Sequence, residues 1–140
     1  MKKIILGLFS LSLFVTACKK SKDAPAITEE NIAGTYKITA SIRITPGSGT
    51  EDLLANAPGC FKDDIYIFGV DESLQHKDVG TVCDPAGDQN GSWTLYDDGT
   101  DKRVESTYVS GMVTKFDGNT LELTDSEDGT AINKVTLQRQ

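Results

Sequence analysis

Residues 36–45 alternate side-chain character without a break. Tyr36, Ile38, Ala40, Ile42 and Ile44 are set against Lys37, Thr39, Ser41, Arg43 and Thr45. Successive strand residues point to opposite faces, so a period of two over this length requires a strand with one buried and one wet face. A strand of this kind needs pairing partners. Turn signals recur about every ten residues, a spacing that suggests an all-β sandwich or barrel. They are Pro46-Gly47, Gly69, Gly80, Asp98-Gly99, Asp117-Gly118 and Asp128-Gly129.

Short stretches rich in Thr, Val, Ile and aromatics lie between these turns and predict further strands over 64–68, 73–79, 92–96, 103–108, 109–116, 120–124 and 132–137. Trp93 and Leu95 share one face of the 92–96 segment, and Gly111 is a candidate bend in 109–116. Leu121 with Leu123, and Val135 with Leu137, are candidate inward pairs. Asp117-Gly118 suits a tight hairpin, because both central positions tolerate positive φ. Residues 50–56 can form one or two helical turns capped by Thr50 or Ser48, with Leu53 and Leu54 covering one end of the core. The expectation is an eight-stranded antiparallel up-and-down barrel with one short helix after the first strand. A barrel removes exposed edges; a two-sheet sandwich fits the same periodicity.

The N-terminus is organised differently. Met1-Lys2-Lys3 is a short positive start, and 4–15 is an apolar run broken by Gly7, Ser10 and Ser12. That run is shorter than the roughly 20 residues a membrane-spanning helix needs, and it suits the apolar region of a secretion signal. Val15-Thr16-Ala17-Cys18 closes it with small residues before a cysteine and resembles the bacterial lipobox. The expected organisation is a lipoprotein signal peptide over 1–17, a tether over 18–30 lipidated at Cys18, and a domain over 31–140. Acyl chains on Cys18 would anchor the protein to a membrane, each buried methylene contributing about 0.8 kcal/mol. Lys19, Lys20 and Lys22 would stand beside anionic head groups. Lys19, rather than aspartate, follows the cysteine, which by resemblance to enteric lipoproteins points to the outer membrane.

The 31–140 domain carries 9 Lys and Arg against 18 Asp and Glu, a formal charge of −9. A domain this acidic is repelled by phosphate backbones, which argues against nucleic acid as a partner. Of the three cysteines, Cys60 and Cys83 remain once Cys18 is lipidated. An even remainder in an exported chain favours a disulfide. A metal pair with His76, the one histidine, would need more ligands at suitable spacing.

Little else suggests chemistry. The acidic turns 97–101 and 125–129 do not follow the twelve-residue calcium-loop pattern and read more simply as hairpin turns. Asp63 and Asp64 are adjacent, so on a strand they diverge rather than converge on one bond. A structural role, such as accepting from backbone amides, is expected of them. His76 reads as a solvent-facing strand residue. No catalytic residue, metal site or cofactor is expected, and the chain reads as a non-enzyme.

Ile32-Ala33-Gly34-Thr35-Tyr36-Lys37-Ile38 resembles the opening Gly-x-Trp segment of lipocalins, with Tyr36 where tryptophan usually sits. Residues 60–68, followed by Cys83, then 91–95 and 119–123, are similar to the lipocalin-like domain of Bacteroidota lipoproteins. The resemblance spans 31–140. It implies an outer-membrane anchor and a small hydrophobic ligand in the barrel, with Tyr36, Tyr66, Phe68 and Trp93 as candidate cavity-lining residues. An eight-stranded barrel is just wide enough to be filled by its own side chains or to hold one small ligand. The alternative is therefore a packed envelope barrel acting through its surface and loops, 45–59 and 84–91, on other proteins or glycans.

Overall fold

A computed structural model of the chain describes residues 24–127 and 129–140. Residues 1–17, read above as a signal peptide, Cys18 and the lysines beside it lie outside the described residues. The elements run α1 (Glu29–Ile32), β1 (Gly34–Thr45), β2 (Gly49–Asp52), α2 (Leu53–Asn56), a 3₁₀ turn (Gly59–Phe61), β3 (Ile65–Phe68), β4 (Ser73–Lys77), β5 (Gln89–Asp97), β6 (Lys102–Ser106), β7 (Gly111–Phe116), β8 (Thr120–Glu127) and β9 (Ala131–Arg139). Every pairing is antiparallel. β1 and β3 to β9 follow one another around the sheet, and β9 returns to β1. The result is a closed eight-stranded barrel, as the sequence predicts. Among the described residues no helix is long and apolar enough to cross a membrane.

Antiparallel order sorts the connections to two ends. The turns 69–72, 98–101 and 117–119 lie with α1 at the floor. Segments 46–64, 78–88 and 107–110 lie at the opposite end, the mouth.

The floor is packed. Ile32, Tyr36, Phe68, Leu74, Trp93, Val104, Leu121, Leu123 and Leu137 are each at most 1% exposed. Phe68 sits between Tyr36 and Trp93 in two edge-to-face contacts, with ring centroids 5.6 and 5.3 Å apart. Each such pair contributes about 0.5–1.5 kcal/mol beyond its buried area. Trp93 Nε1 donates to the Gly69 carbonyl at 2.8 Å, so the indole enters the core with its polar edge satisfied.

Arg139, on the last strand, closes the floor. Its guanidinium donates to the carbonyls of Ala33 at 2.9 Å and Asn31 at 2.6 Å and to the Tyr36 hydroxyl at 2.6 Å, and it lies 4.9 Å from the Tyr36 ring centroid. The Tyr36 hydroxyl in turn donates to the Ile32 carbonyl at 2.7 Å. These bonds satisfy carbonyls that a four-residue helix leaves without intrahelical partners. Burial pushes the Tyr36 phenol up, and the adjacent Arg139 charge partly offsets this.

Four departures from the sequence expectation have local causes. First, the cap Thr28 and the first two residues of α1 fall in the segment read as tether. Thr28 Oγ1 accepts from Asn31 N, Asn31 Nδ2 donates to the Ala26 carbonyl, and Ile27 packs on the core. Second, 49–52 is a strand rather than the start of a helix. Positive φ at Gly47 and Gly49 folds the chain back, so Thr50 and Glu51 pair with Ile44 and Arg43. α2 then starts at Leu53, capped by Asp52 rather than by Thr50 or Ser48, and Leu53 and Leu54 are only half-buried. Third, residues 107–110 belong to no strand. The Ser106 and Ser110 hydroxyls bond the backbone there, and β7 begins at Gly111.

The fourth departure lies in β1. The register slips at Thr39: Ile38 faces Leu137, but Ala40 faces Thr136 and Ser41 faces Val135. This β-bulge inserts one residue and reverses the faces beyond it. Ala40, Ile42 and Ile44 therefore stand on the outer wall, Ile44 being 37% exposed, while Ser41 and Arg43 turn inward. Leu121, Leu123, Val135 and Leu137 face inward as expected.

Arg139→Ala is expected to lower unfolding free energy by about 2–4 kcal/mol, since it strands several floor carbonyls and the Tyr36 hydroxyl; denaturant titration measures this, and a loss below about 0.5 kcal/mol would contradict the role. The acidic turns predict a pH dependence. A Ser73 hydrogen bond holds Asp71 below its ordinary 3.8. Asp97 is lowered first by Lys102, Asp98 by the Asp101 amide and Asp117 by the Thr120 amide. Folded values below unfolded ones stabilise fully above 3.8, and the contribution is lost as pH falls through the folded values. Thermal melts should thus show the midpoint dropping below about pH 4, and a midpoint that holds or rises there would contradict this account.

Candidate functional site

Above the packed floor the barrel interior changes character. Cross-strand partners share a face, and Tyr36, Tyr66 and His76 lie in one register row, with Phe68 and Leu74 in the row below. Because Leu74 and His76 share parity on β4, both point inward. His76 is only 7% exposed, not the solvent-facing residue that its polarity suggests. Its Nε2 is 2.7 Å from Oδ2 of Asp64, which is 2% exposed. The second carboxylate oxygen, Oδ1, is buried and has no partner among the described residues. Tyr66 stacks on the imidazole with centroids 5.0 Å apart and planes at 19°, and Tyr108 leans on both rings. Burial pushes the Tyr66 phenol up, and the nearby Asp64 charge adds to the shift. The Asp64–His76 hydrogen bond thus joins the entry of β3 to β4 beneath the mouth.

The loop 78–88 folds over this cluster, and carboxylates hold it there. Asp78 accepts from Cys83 N at 3.0 Å and Gly87 N at 2.7 Å. Asp88 accepts from Asp78 N at 2.9 Å and meets Lys77 Nζ at 3.1 Å, and the backbone bond is the main reason its carboxyl lies below the ordinary value. Asp63 accepts from Thr81 N at 2.8 Å, the amide-binding role expected of it. Cys60 and Cys83 form a disulfide across a separation of 23 residues, with Cα atoms 5.2 Å apart. It ties the 3₁₀ turn to the loop.

Between these two segments lies an open groove of about 420 Å³, lined by Pro58, Phe61, Pro85, Ala86, the disulfide, Asp84, Gly87 and Gln89. The groove adjoins the buried cluster through Gly87, which lines it and lies beside His76. A Cβ on Gly87 would lie 3.7 Å from His76 Cε1, an ordinary contact distance, and 3.3 Å from Asp78 Oδ2, so the loop runs directly beside the imidazole. Phe61, 48% exposed, presents its ring at the groove wall. Two other grooves run on the outer wall. Ser92, Thr94, Tyr96 and Glu105 line one, and Arg103, Met112, Thr124 and Ile132 are among the residues of the other.

The four candidate lining residues therefore separate. Tyr36, Phe68 and Trp93 are packed on one another in the floor, and Tyr66 stands higher, half-buried against His76. Sequence reasoning missed His76 and Tyr108 as members of the mouth cluster. The parity of Leu74 and His76 was the signal available for His76; Tyr108 lies outside any strand and offered none. In the 97–101 turn, Asp97 accepts from Gly99 N and Asp98 from the Thr100 and Asp101 amides. Those carboxylates serve the turn, as expected of a hairpin. No family model, curated protein or solved structure matches the chain.

Removing the cross-link with Cys60→Ser and Cys83→Ser together is expected to cost about 3 kcal/mol, mainly by freeing the unfolded chain. Denaturant titration of the oxidised protein beside the double variant measures the difference, and equal midpoints would contradict it.

Proposed function

We propose that this chain is a lipid-anchored, lipocalin-like envelope protein, a binding protein rather than an enzyme, that holds a small hydrophobic ligand at the mouth of its barrel. The observation that carries the proposal is the groove of about 420 Å³ between the 3₁₀ turn and the 78–88 loop, walled by Phe61, two prolines and the disulfide. Its size falls in the range of small-molecule sites, about 300–1,000 Å³, as do those of the two outer-wall grooves; it differs from them in being built of mouth-loop residues and the disulfide. The floor is filled by Tyr36, Phe68 and Trp93, so a ligand would bind outside it, in the groove between Phe61 and Pro85.

The anchor reading rests on the basic start, the apolar run and Val15-Thr16-Ala17-Cys18. Pro25 lies against Gly118 in the β7–β8 turn, so the segment leading back toward Cys18 starts from the floor. A lipid at Cys18 would then leave the mouth facing away from the membrane. The lysine after Cys18 favours the outer membrane. The resemblance to lipocalins rests on Gly34-Thr35-Tyr36 at the start of β1 and on the order of short motifs along 31–140.

A second reading has a specific observation behind it. The packed floor leaves only the upper barrel for a ligand, which suits a barrel that acts through its outer wall and mouth loops on other proteins or glycans.

The test joins two readouts. Expressed in a bacterial host, the full chain is expected in the membrane fraction with an acyl mass increment, and Cys18→Ala without that increment. The mature chain is then weighed under native and denaturing conditions. A bound mass of a few hundred daltons, lost on denaturation, supports the binding reading. A bare mass from several preparations favours the surface reading, and an unmodified Cys18 refutes the anchor.

A further inference from the structure

The mouth groove combines apolar walls with an unusual local charge. Segments 58–64 and 77–89, which build it and the loop over His76, contain five carboxylates, Asp63, Asp64, Asp78, Asp84 and Asp88, and two lysines, Lys62 and Lys77, a formal charge of −3. Neither lysine faces the groove as an uncommitted cation. Lys62 Nζ donates to the Ala55 carbonyl at 2.8 Å, turned toward α2, and Lys77 Nζ is paired with Asp88. Asp63, Asp78 and Asp88 are occupied by backbone amides around the loop. Asp84 differs from them. It lines the groove, is exposed, and its carboxylate accepts no hydrogen bond and makes no ion pair among the described residues.

An apolar trough with a solvent-facing carboxylate on its wall and further negative charge behind it discriminates by ligand charge. Concave sites lined by one sign of charge concentrate counter-ions and repel like charges. A fatty acid would bring its carboxylate against Asp84 and lose affinity. A neutral chain would gain only from Phe61, Pro58, Pro85 and the disulfide. A cation on an apolar chain satisfies both parts of the site.

We propose that the groove between residues 58–61 and 83–89 selects cationic amphiphiles, with the apolar body against Phe61, Pro58 and Pro85 and the ammonium group against Asp84. This rests on the binding reading above and adds the charge of the ligand to it. Selection comes from the acidic frame, and affinity from the apolar wall.

The test is calorimetric titration of the mature chain, carrying Cys18→Ser to avoid the lipid, with octyltrimethylammonium, octanesulfonate and octanol. The ammonium probe is expected to bind at least about tenfold more tightly than the sulfonate, with octanol between them and the gap narrowing as salt screens the charges. Asp84→Asn should narrow the gap between the charged probes while leaving octanol unchanged. Phe61→Ser should weaken all three; both residues are exposed, so neither variant threatens the fold. Sulfonate binding as tight as ammonium would overturn the charge selection while leaving a ligand site in place. Ammonium preference unaltered by Asp84→Asn would overturn the assignment to this groove. Failure of all three probes to bind would remove the mouth as a ligand site, and the binding reading with it.

Discussion

A guanidinium on the last strand holds the floor of this barrel. Arg139 sits where β9 meets β1, and its hydrogen bonds reach the carbonyls of Asn31 and Ala33 and the hydroxyl of Tyr36. It therefore joins the closing ladder, the plug helix and the innermost aromatic ring through one charge-assisted set of bonds. Such bonds are stronger than neutral ones and most valuable where water is excluded. With the plug fixed, Ile32 completes the cluster in which Phe68 and Trp93 pack edge to face. The strands above the floor, and the mouth they carry, are positioned by this packed end.

The interior is divided along its axis. Toward the floor, inward positions are leucine, valine and aromatic rings. Toward the mouth they become Tyr66, His76, Ser41 and Arg43, with Asp64 beside His76. The bulge at Thr39 makes this change possible on β1, because it exchanges a row of isoleucines for serine and arginine on the inner face. Arg43 then donates to Asn133 across the ladder at 3.1 Å. Polar groups at this depth require partners; cross-strand register supplies that of Arg43, and the loop residue Asp64 supplies that of His76.

Much of this was legible in the chain. Alternation located β1, β8 and β9, turn residues located the hairpins, and cysteine parity, with export expected from the N-terminal segment, pointed to the Cys60–Cys83 bridge. The outer placement of Ile42 and Ile44 was not legible, because Thr39 carries no mark that distinguishes a bulged residue from a regular one. The strand over 49–52 was hidden by residues that cap helices equally well; the positive φ of Gly47 and Gly49 decided in its favour. At the mouth, Asp63 behaved as its chemistry suggested. His76 did not, because polarity was weighed ahead of its two-residue offset from Leu74. Tyr108 joined the cluster through a loop whose path depends on the hydroxyls of Ser106 and Ser110.

The β1–β9 ladder, with eight registered pairs, joins the first and last strands of the cylinder. Apart from β1–β3, which is interrupted by β2 and α2, every other wall of the barrel pairs strands consecutive in the chain, but this one spans nearly the whole domain. Until β9 pairs with β1, a sheet formed by the preceding strands carries two open edges. Pairing between sequence-distant segments is slow to form, because chain entropy is spent before the contact is made. Unpaired edges in that interval can template the wrong partner, including another copy of the same chain. A cylinder closed by its two terminal strands is therefore most exposed to misassembly at the last step of its folding, when nearly all its other contacts are already in place.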